Sequence, residues 1–265
     1  MGLSLSTARY LAPASFIYDF AAQQYGIFST PNMKQIHDQN LSFFSPQPFF
    51  IAGFFFPQQL FQLFWLYKLC TLHPSHPSSK SSLDKILPYV PYYALGNFCI
   101  GTWMFFWNSS HLSLANIFVL INSSAQIFFL ATQLRNNPMD TRNSASVLTH
   151  IVSKTFAGIG VLDALHNTSV AYYKNSFPST TVKILTGLGF GGAALCSDWI
   201  FGACLVYDLI ALSVGQLQYD AGWSRLLGFM AVGTAAIVAV KNYWRPPYVK
   251  GDYSQVVQNE TDDRV

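Results

Sequence analysis

Apolar stretches of about twenty residues alternate with short polar interruptions along most of this 265-residue chain. They run from Pro48 to Cys70, Ile86 to Trp107, Leu112 to Leu134, Val147 to Tyr173, Ala193 to Val214 and Trp223 to Trp244. A helix rises ~1.5 Å per residue and the hydrocarbon layer is about 30 Å thick, so each stretch is long enough to cross it. The pattern predicts an all-α, polytopic integral membrane helical bundle of about six transmembrane helices. Residues Thr180 to Leu217 are too long for one crossing. The glycines of GLGFGG at 187–192 offer a break there, and two spans in this region would bring the total to seven.

The polar intervals set the organisation. An N-terminal segment, 1–46, precedes the membrane domain, 47–245, and a polar tail, 246–265, follows it. Residues 6–25, with Leu11, Phe16, Ile17 and Phe20, read as an amphipathic interfacial helix, and Phe28 to Ser45 as a polar loop. Pro57 should kink the first span, which a bundle tolerates. The turn Asn108–His111 is so short that the second and third spans must form a hairpin. With six spans, Thr71–Lys85 and Arg135–Ser146 face one side and the C-terminal tail the other. The Lys and Arg distribution then mildly favours both termini in the cytosol. The tail composition predicts disorder.

Composition agrees with a lipid-facing surface. Hydrophobic residues make up 51% of the chain and charged residues 10%, against roughly 25% charged in soluble domains. Net charge is +3, spread along the chain, which leaves no nucleic-acid footprint. Arg9 is the only early positive charge, and Pro13 and Asp19 interrupt any apolar core of a signal peptide. Cys70, Cys99, Cys196 and Cys204 lie in or beside apolar runs and read as small hydrophobes. His73 and His76 form HxxH without an acidic or cysteine partner, so neither a metal nor a cofactor is expected. Sequons begin at Asn40, Asn108, Asn122, Asn167 and Asn259, mostly in or against spans. There is no Walker A loop, Rossmann fingerprint, GxSxG or HExxH, so nucleotide-driven, dinucleotide and common hydrolase chemistry have no support.

The candidate chemistry lies inside the spans. Asp163, Asp198 and Asp208 are ionisable groups at membrane depth, where such residues are expensive and mark functional sites by default. Asp163 and His166 share a helix face, with Asn167 beside them and Lys154 and His150 earlier on the same span. Asp198 and Asp208 are ten residues apart, about 80° around a helix, so they could border one cavity. Asn97, Asn116, Asn122 and Gln126 on the second and third spans serve either as packing glue or as a pocket. Trp103 and Trp107 lie one turn apart and form either interfacial anchors facing lipid or a pocket wall.

Some of these residues follow a known order. Pro46-Gln-Pro48-Phe49-Phe50 with Pro57 and Trp65, then Leu95-Gly-Asn97, Trp103 and Phe105-Phe106, then Leu165-His-Asn167-Thr-Ser-Val170, resemble the translocator-protein family of tryptophan-rich sensory proteins over about 46–175. The spacing is altered, Tyr172 stands where the family has Trp, one family helix is missing, and the C-terminal spans have no counterpart. The resemblance implies a five-helix membrane core with a site for a flat or lipophilic ligand.

The expected function is therefore binding or moving a small lipophilic molecule, with the lipid bilayer and that ligand as partners. An intramembrane enzyme of terpene-cyclase type, with acidic groups in an aromatic cavity, and a structural or assembly factor are the alternatives. The secretory pathway is the expected location, the endoplasmic reticulum ahead of the plasma membrane.

Overall fold

The computed structural model describes residues 3–244, which are mostly helical with short connections and contain no strand. The helices are α1 (Leu5–Phe28), α2 (Met33–Gln39), α3 (Pro48–Thr71), α4 (Pro77–Ile86), α5 (Val90–Asn108), α6 (Leu112–Phe129), α7 (Ser144–Tyr172), α8 (Thr180–Cys196), α9 (Trp199–Gly215) and α10 (Ala221–Trp244). A 3₁₀ turn, Leu87–Tyr89, leads into α5, and a π-helical turn, Leu130–Leu134, finishes α6. The tail, with its expected disorder, Glu260 and the Asn259 sequon, lies outside the described residues.

Local chemistry sets the helix starts. Asn32 and Gln35 exchange hydrogen bonds in a capping box at α2. Gln47 caps α3 just before Pro48, whose missing N–H costs nothing in a first turn. The side chains of Asn143, Ser179 and Asp198 accept from first-turn amides of α7, α8 and α9.

Among the described residues, four helices are long and apolar enough to cross a membrane: α3, α6 with its π turn, α7 and α10. The shorter α8 and α9 are also apolar. Beside an apolar core, large apolar side chains also face outward and amides are buried: Phe49, Phe56, Leu188 and Phe229 are about 70% exposed, whereas Gln58, Gln62, Asn97, Gln126 and Asp208 are buried. That is the distribution expected where the outer solvent is hydrocarbon.

Contacts give each helix a direction. Tyr18 meets Phe98 and Tyr25 meets Phe105, so α1 and α5 run parallel. Gly96 lies against Gln126 while Phe106 stacks on Phe118, so α6 runs against α5. Ser123 bonds Gly160 and Asn116 bonds Thr168, which turns α7 against α6. Arg9 donates to the carbonyls of Leu69 and Leu72, which sets α3 against α1. Lys154 meets Asp198 and Gly158 meets Cys204, making α7 and α9 parallel, and Ser213–Ser224 with Gly202–Val238 make α10 antiparallel to α9. Eight helices of 17 residues or more therefore alternate in direction. Their connections gather at two ends, one carrying α4 and the other α2.

Several expectations change as a result. Residues 6–25 belong to a helix whose Ala8, Ala12, Asp19 and Gly26 are buried; Tyr18 and Asp19 meet Gly101 of α5, and Gly26 meets Met104 of α5, so the segment packs as a member of the bundle. The glycines at 187–192 stay helical within α8, and the break falls at Ser197–Asp198. The two polar loops each contain a helix, α2 and α4. Trp244 ends α10 at the α4 end, the end that also holds Thr71–Lys85 and Arg135–Ser146, so the arrangement of these loops opposite the last helix terminus does not hold.

Close packing of α7 on α9 depends on Gly158, because a Cβ there would overlap Cys204. Gly158→Ala should destabilise the fold by about 1–3 kcal/mol, the usual range for overpacking. Thermal unfolding in detergent should show a lowered Tm, with partial recovery when Cys204→Gly removes the opposing atom.

Candidate functional site

Toward the α4 end, an aromatic and amide network joins α3, α5, α6 and α7. Trp65, Tyr89, Tyr93 and Phe129 are all buried, with ring centroids 4.7 Å apart for Trp65–Tyr93 and 4.8 Å for Tyr89–Phe129. Each polar tip finds a partner. Tyr93 donates to Gln62 Oε1 at 2.7 Å, Tyr89 to Gln126 Oε1 at 3.0 Å, and Trp65 to Thr149 at 3.0 Å. Gln126 donates onward to Asn122 and to the Tyr92 carbonyl. Asn122 and Gln126 are thus used up in helix packing. Asn97 donates to the Tyr93 carbonyl at 3.0 Å, but its Oδ1 is buried without a partner, as is Gln58 Nε2.

A second group lies toward the α2 end. Trp103 donates to Asn167 Oδ1 at 2.7 Å, and Asn167 donates to the Asp163 carbonyl at 2.9 Å. Trp107, 3% exposed, stacks near Trp103 at 5.4 Å and near His166 at 5.6 Å, and donates to the Met33 carbonyl. Both indoles therefore point into the bundle, and the reading of them as lipid-facing anchors is corrected. His166 faces the His37 ring at 5.1 Å, and its Nδ1 is buried without a partner. The segment before α3 closes this end. Gln216 donates to the Ser42 and Ser45 carbonyls, Trp223 to the Phe43 carbonyl, and Ser42 meets Ser169 at 2.6 Å.

Between α7 and α9 stand two carboxyls. Asp208 is fully buried, and both its oxygens lack a hydrogen-bond partner. Asp163 is half-buried on α7, and the parallel register set by Lys154–Asp198 and Gly158–Cys204 puts it at about the level of Asp208. Asp163 also sits one turn from Asn167, so it links the carboxyl pair to the Trp103 group.

Asp198 belongs elsewhere. It caps α9 by accepting from the Phe201 amide at 3.0 Å and pairs with Lys154, which also donates to His150 Nδ1 at 2.7 Å. His150 Nε2 in turn donates to the Asn137 carbonyl. This cluster ties the α8–α9 elbow to α7. Asp198 and Asp208 therefore do not border one cavity: ten residues of helix separate a cap from a core position, about 15 Å. Of the other candidates, Asn97, Trp103, Trp107, Asp163, His166, Asn167 and Asp208 keep a place in the two central groups. Gln58, Gln62, Tyr89, Tyr93 and His37 were missed by sequence reasoning. The i, i+4 glutamines at 58 and 62 on an apolar helix were a legible signal; His37 had none. The sequon residues Asn40, Asn108, Asn122 and Asn167 are buried, which makes them poor glycan acceptors once folded.

No family model, no curated protein and no solved structure matches this chain.

His37 provides a pH handle outside the long helices. Burial pushes its imidazole down from the ordinary 6.5 to about 4, against the raising effect of Asp38, while Lys34 adds to the lowering. A histidine held neutral contributes stability above its unfolded value, and that contribution is lost as pH falls from 6.5 toward 4. The Tm should therefore fall between pH 7 and pH 5, by the equivalent of about 1–2 kcal/mol. His37→Gln should flatten this dependence. An unchanged slope in the variant would assign the acid sensitivity to other groups.

Proposed function

We propose that the protein crosses the bilayer eight times and binds or moves a small lipophilic molecule carrying a polar group, with Asp163 and Asp208 at the polar end of the site. The observation that carries this reading is the Asp208 carboxyl, fully buried on α9 with neither oxygen partnered among the described residues, and with Asp163 at about the same level on the parallel α7. An uncompensated polar group in a membrane core is costly, and packing alone gives no reason to keep one there. Trp103, Asn167 and His166 supply an aromatic wall and convergent polar atoms nearby, the mixture a ligand pocket requires. The resemblance over 46–175 supports the same class of ligand. The helices α8 and α9, at 17 residues, meet the lower limit for a crossing and suit a thin membrane such as the endoplasmic reticulum.

Orientation follows from charge. The α4 end holds Arg9, Lys68, Lys80, Lys85, Arg135, Arg142 and Lys241, and the α2 end holds Lys34, Lys174, Lys183 and Arg225. The excess supports a cytosolic α4 end.

Two measurements test this reading. In a cysteine-free background, cysteines at Ser6, Ser75 and Asn136 should react with an impermeant reagent from the cytosolic side, and cysteines at Ser109 and Ser176 from the opposite side. Labelling of Ser6 together with Ser109 would restore the interfacial helix and remove the eighth crossing. For the site, organic extracts of purified protein should contain a co-purifying lipophile. Asp208→Asn and Trp103→Ala should each reduce its amount at least about tenfold, the effect of losing about 1.4 kcal/mol of binding. Asp208→Asn should at the same time leave Tm unchanged or raise it, because a strained core group is relieved. Equal recovery of the lipophile from the Asp163→Asn/Asp208→Asn double variant would contradict the assignment.

A further inference from the structure

A groove between the last turns of α3 and the first turns of α7 belongs to neither central group. Its volume is about 560 Å³. Phe61 and Phe64 line it from α3, and Leu148 and Ile151 from α7. Polar residues gather at one end only, where Lys68, Arg142 and Ser144 form the rim. Seven residues of helix separate Phe61 from Lys68, and seven separate Ser144 from Ile151. At ~1.5 Å per residue that is about 10 Å of depth on each wall. The polarity is therefore graded along the helix axes: a basic rim at the α4 end and an apolar floor toward the middle of the bundle.

A lipid presents the same gradient. We infer that this groove is a binding site for an anionic glycerophospholipid of the leaflet at the α4 end, with its phosphate on Lys68 and an acyl chain against Phe61, Phe64, Leu148 and Ile151. Charge complementarity selects the anionic class. Lys68 stands at the C-terminal turn of α3 with its stem half-buried beside the aromatic wall, so the ammonium reaches the headgroup level while the carbons stay in apolar contact. The same end carries the larger share of the chain's basic residues, and a zwitterionic headgroup gains less from that field. The site is separate from Asp163 and Asp208 and stands without the interior ligand.

The test uses the full chain in mild detergent, exposed to equal amounts of phosphatidylserine and phosphatidylcholine with identical acyl chains and read by native mass spectrometry. Phosphatidylserine should be retained about fivefold over phosphatidylcholine, the factor expected for ~1 kcal/mol from one basic side chain. Lys68→Gln should abolish that preference and Lys68→Arg should keep it. Leu148→Trp should fill the groove and reduce retention of both lipids, with helicity by circular dichroism unchanged. Equal retention of the two lipids by the unaltered protein, or a preference that survives Lys68→Gln, would overturn the proposal. Loss of the interior lipophile in Asp208→Asn without loss of phosphatidylserine would show that the two sites are independent.

Discussion

Hydrocarbon cannot satisfy a polar group, and most of this molecule follows from that constraint. Backbone groups are satisfied within helices, and side-chain amides, phenols and indoles turn inward to find one another. The Tyr89–Gln126 and Tyr93–Gln62 bonds, with Trp65 donating to Thr149, fix the register of α3, α5, α6 and α7 at one level. Farther along, Trp103–Asn167 and Thr168–Asn116 repeat the device. Large apolar side chains such as Phe56 and Phe229 are free to face outward.

Against this rule the exceptions stand out. Among the described residues, Asn97 Oδ1, Gln58 Nε2, His166 Nδ1 and both oxygens of Asp208 are buried without partners, as are single oxygens of Asn108, Gln216 and Asn242, whose amide nitrogens are bonded. Asp208 differs from the rest in that neither atom of its polar group is bonded, whereas each of the amides donates or accepts through its other atom. The capping segment from α2 to Gln47 closes the end nearest His166, held by Gln216 and Trp223. The ends of the bundle thus differ: one is sealed by buried loop, and the other carries α4 and more of the described basic residues.

Much of the fold was legible in the sequence because period and length are strong signals in lipid. The apolar stretches that became α3, α6, α7 and α10 stood out by apolarity and length, and the stretch Ile86–Trp107 also became a helix, α5. The helix α1 did not, since Arg9, Pro13, Asp19 and Gln23 dilute it. In the structure Asp19 accepts from Gln23 and Arg9 reaches the carbonyls at the end of α3, so the polar residues are compensated by tertiary contacts that composition does not reveal. The α8–α9 elbow was misplaced because glycines were weighed as breakers, whereas a membrane helix tolerates them; the stronger signal was Ser197–Asp198 ahead of an apolar run, a helix-capping pair. Among the candidate residues, Asp163, His166, Asn167 and Trp103 came together because a helix face and a hairpin were readable. Asp198 left the group because its depth depended on the elbow, and His37 arrived from a segment that looked like loop.

The central claim is that Trp103 and its neighbours face a bundle interior while the outer surface faces lipid. Reconstitution of single-tryptophan proteins into bilayers of brominated phospholipid measures this directly. Trp103 alone should keep most of its fluorescence, because its indole is bonded to Asn167 inside the bundle, whereas Trp244 alone, 78% exposed at the end of α10, should be strongly quenched. Equal quenching of the two would place Trp103 in lipid and contradict the account.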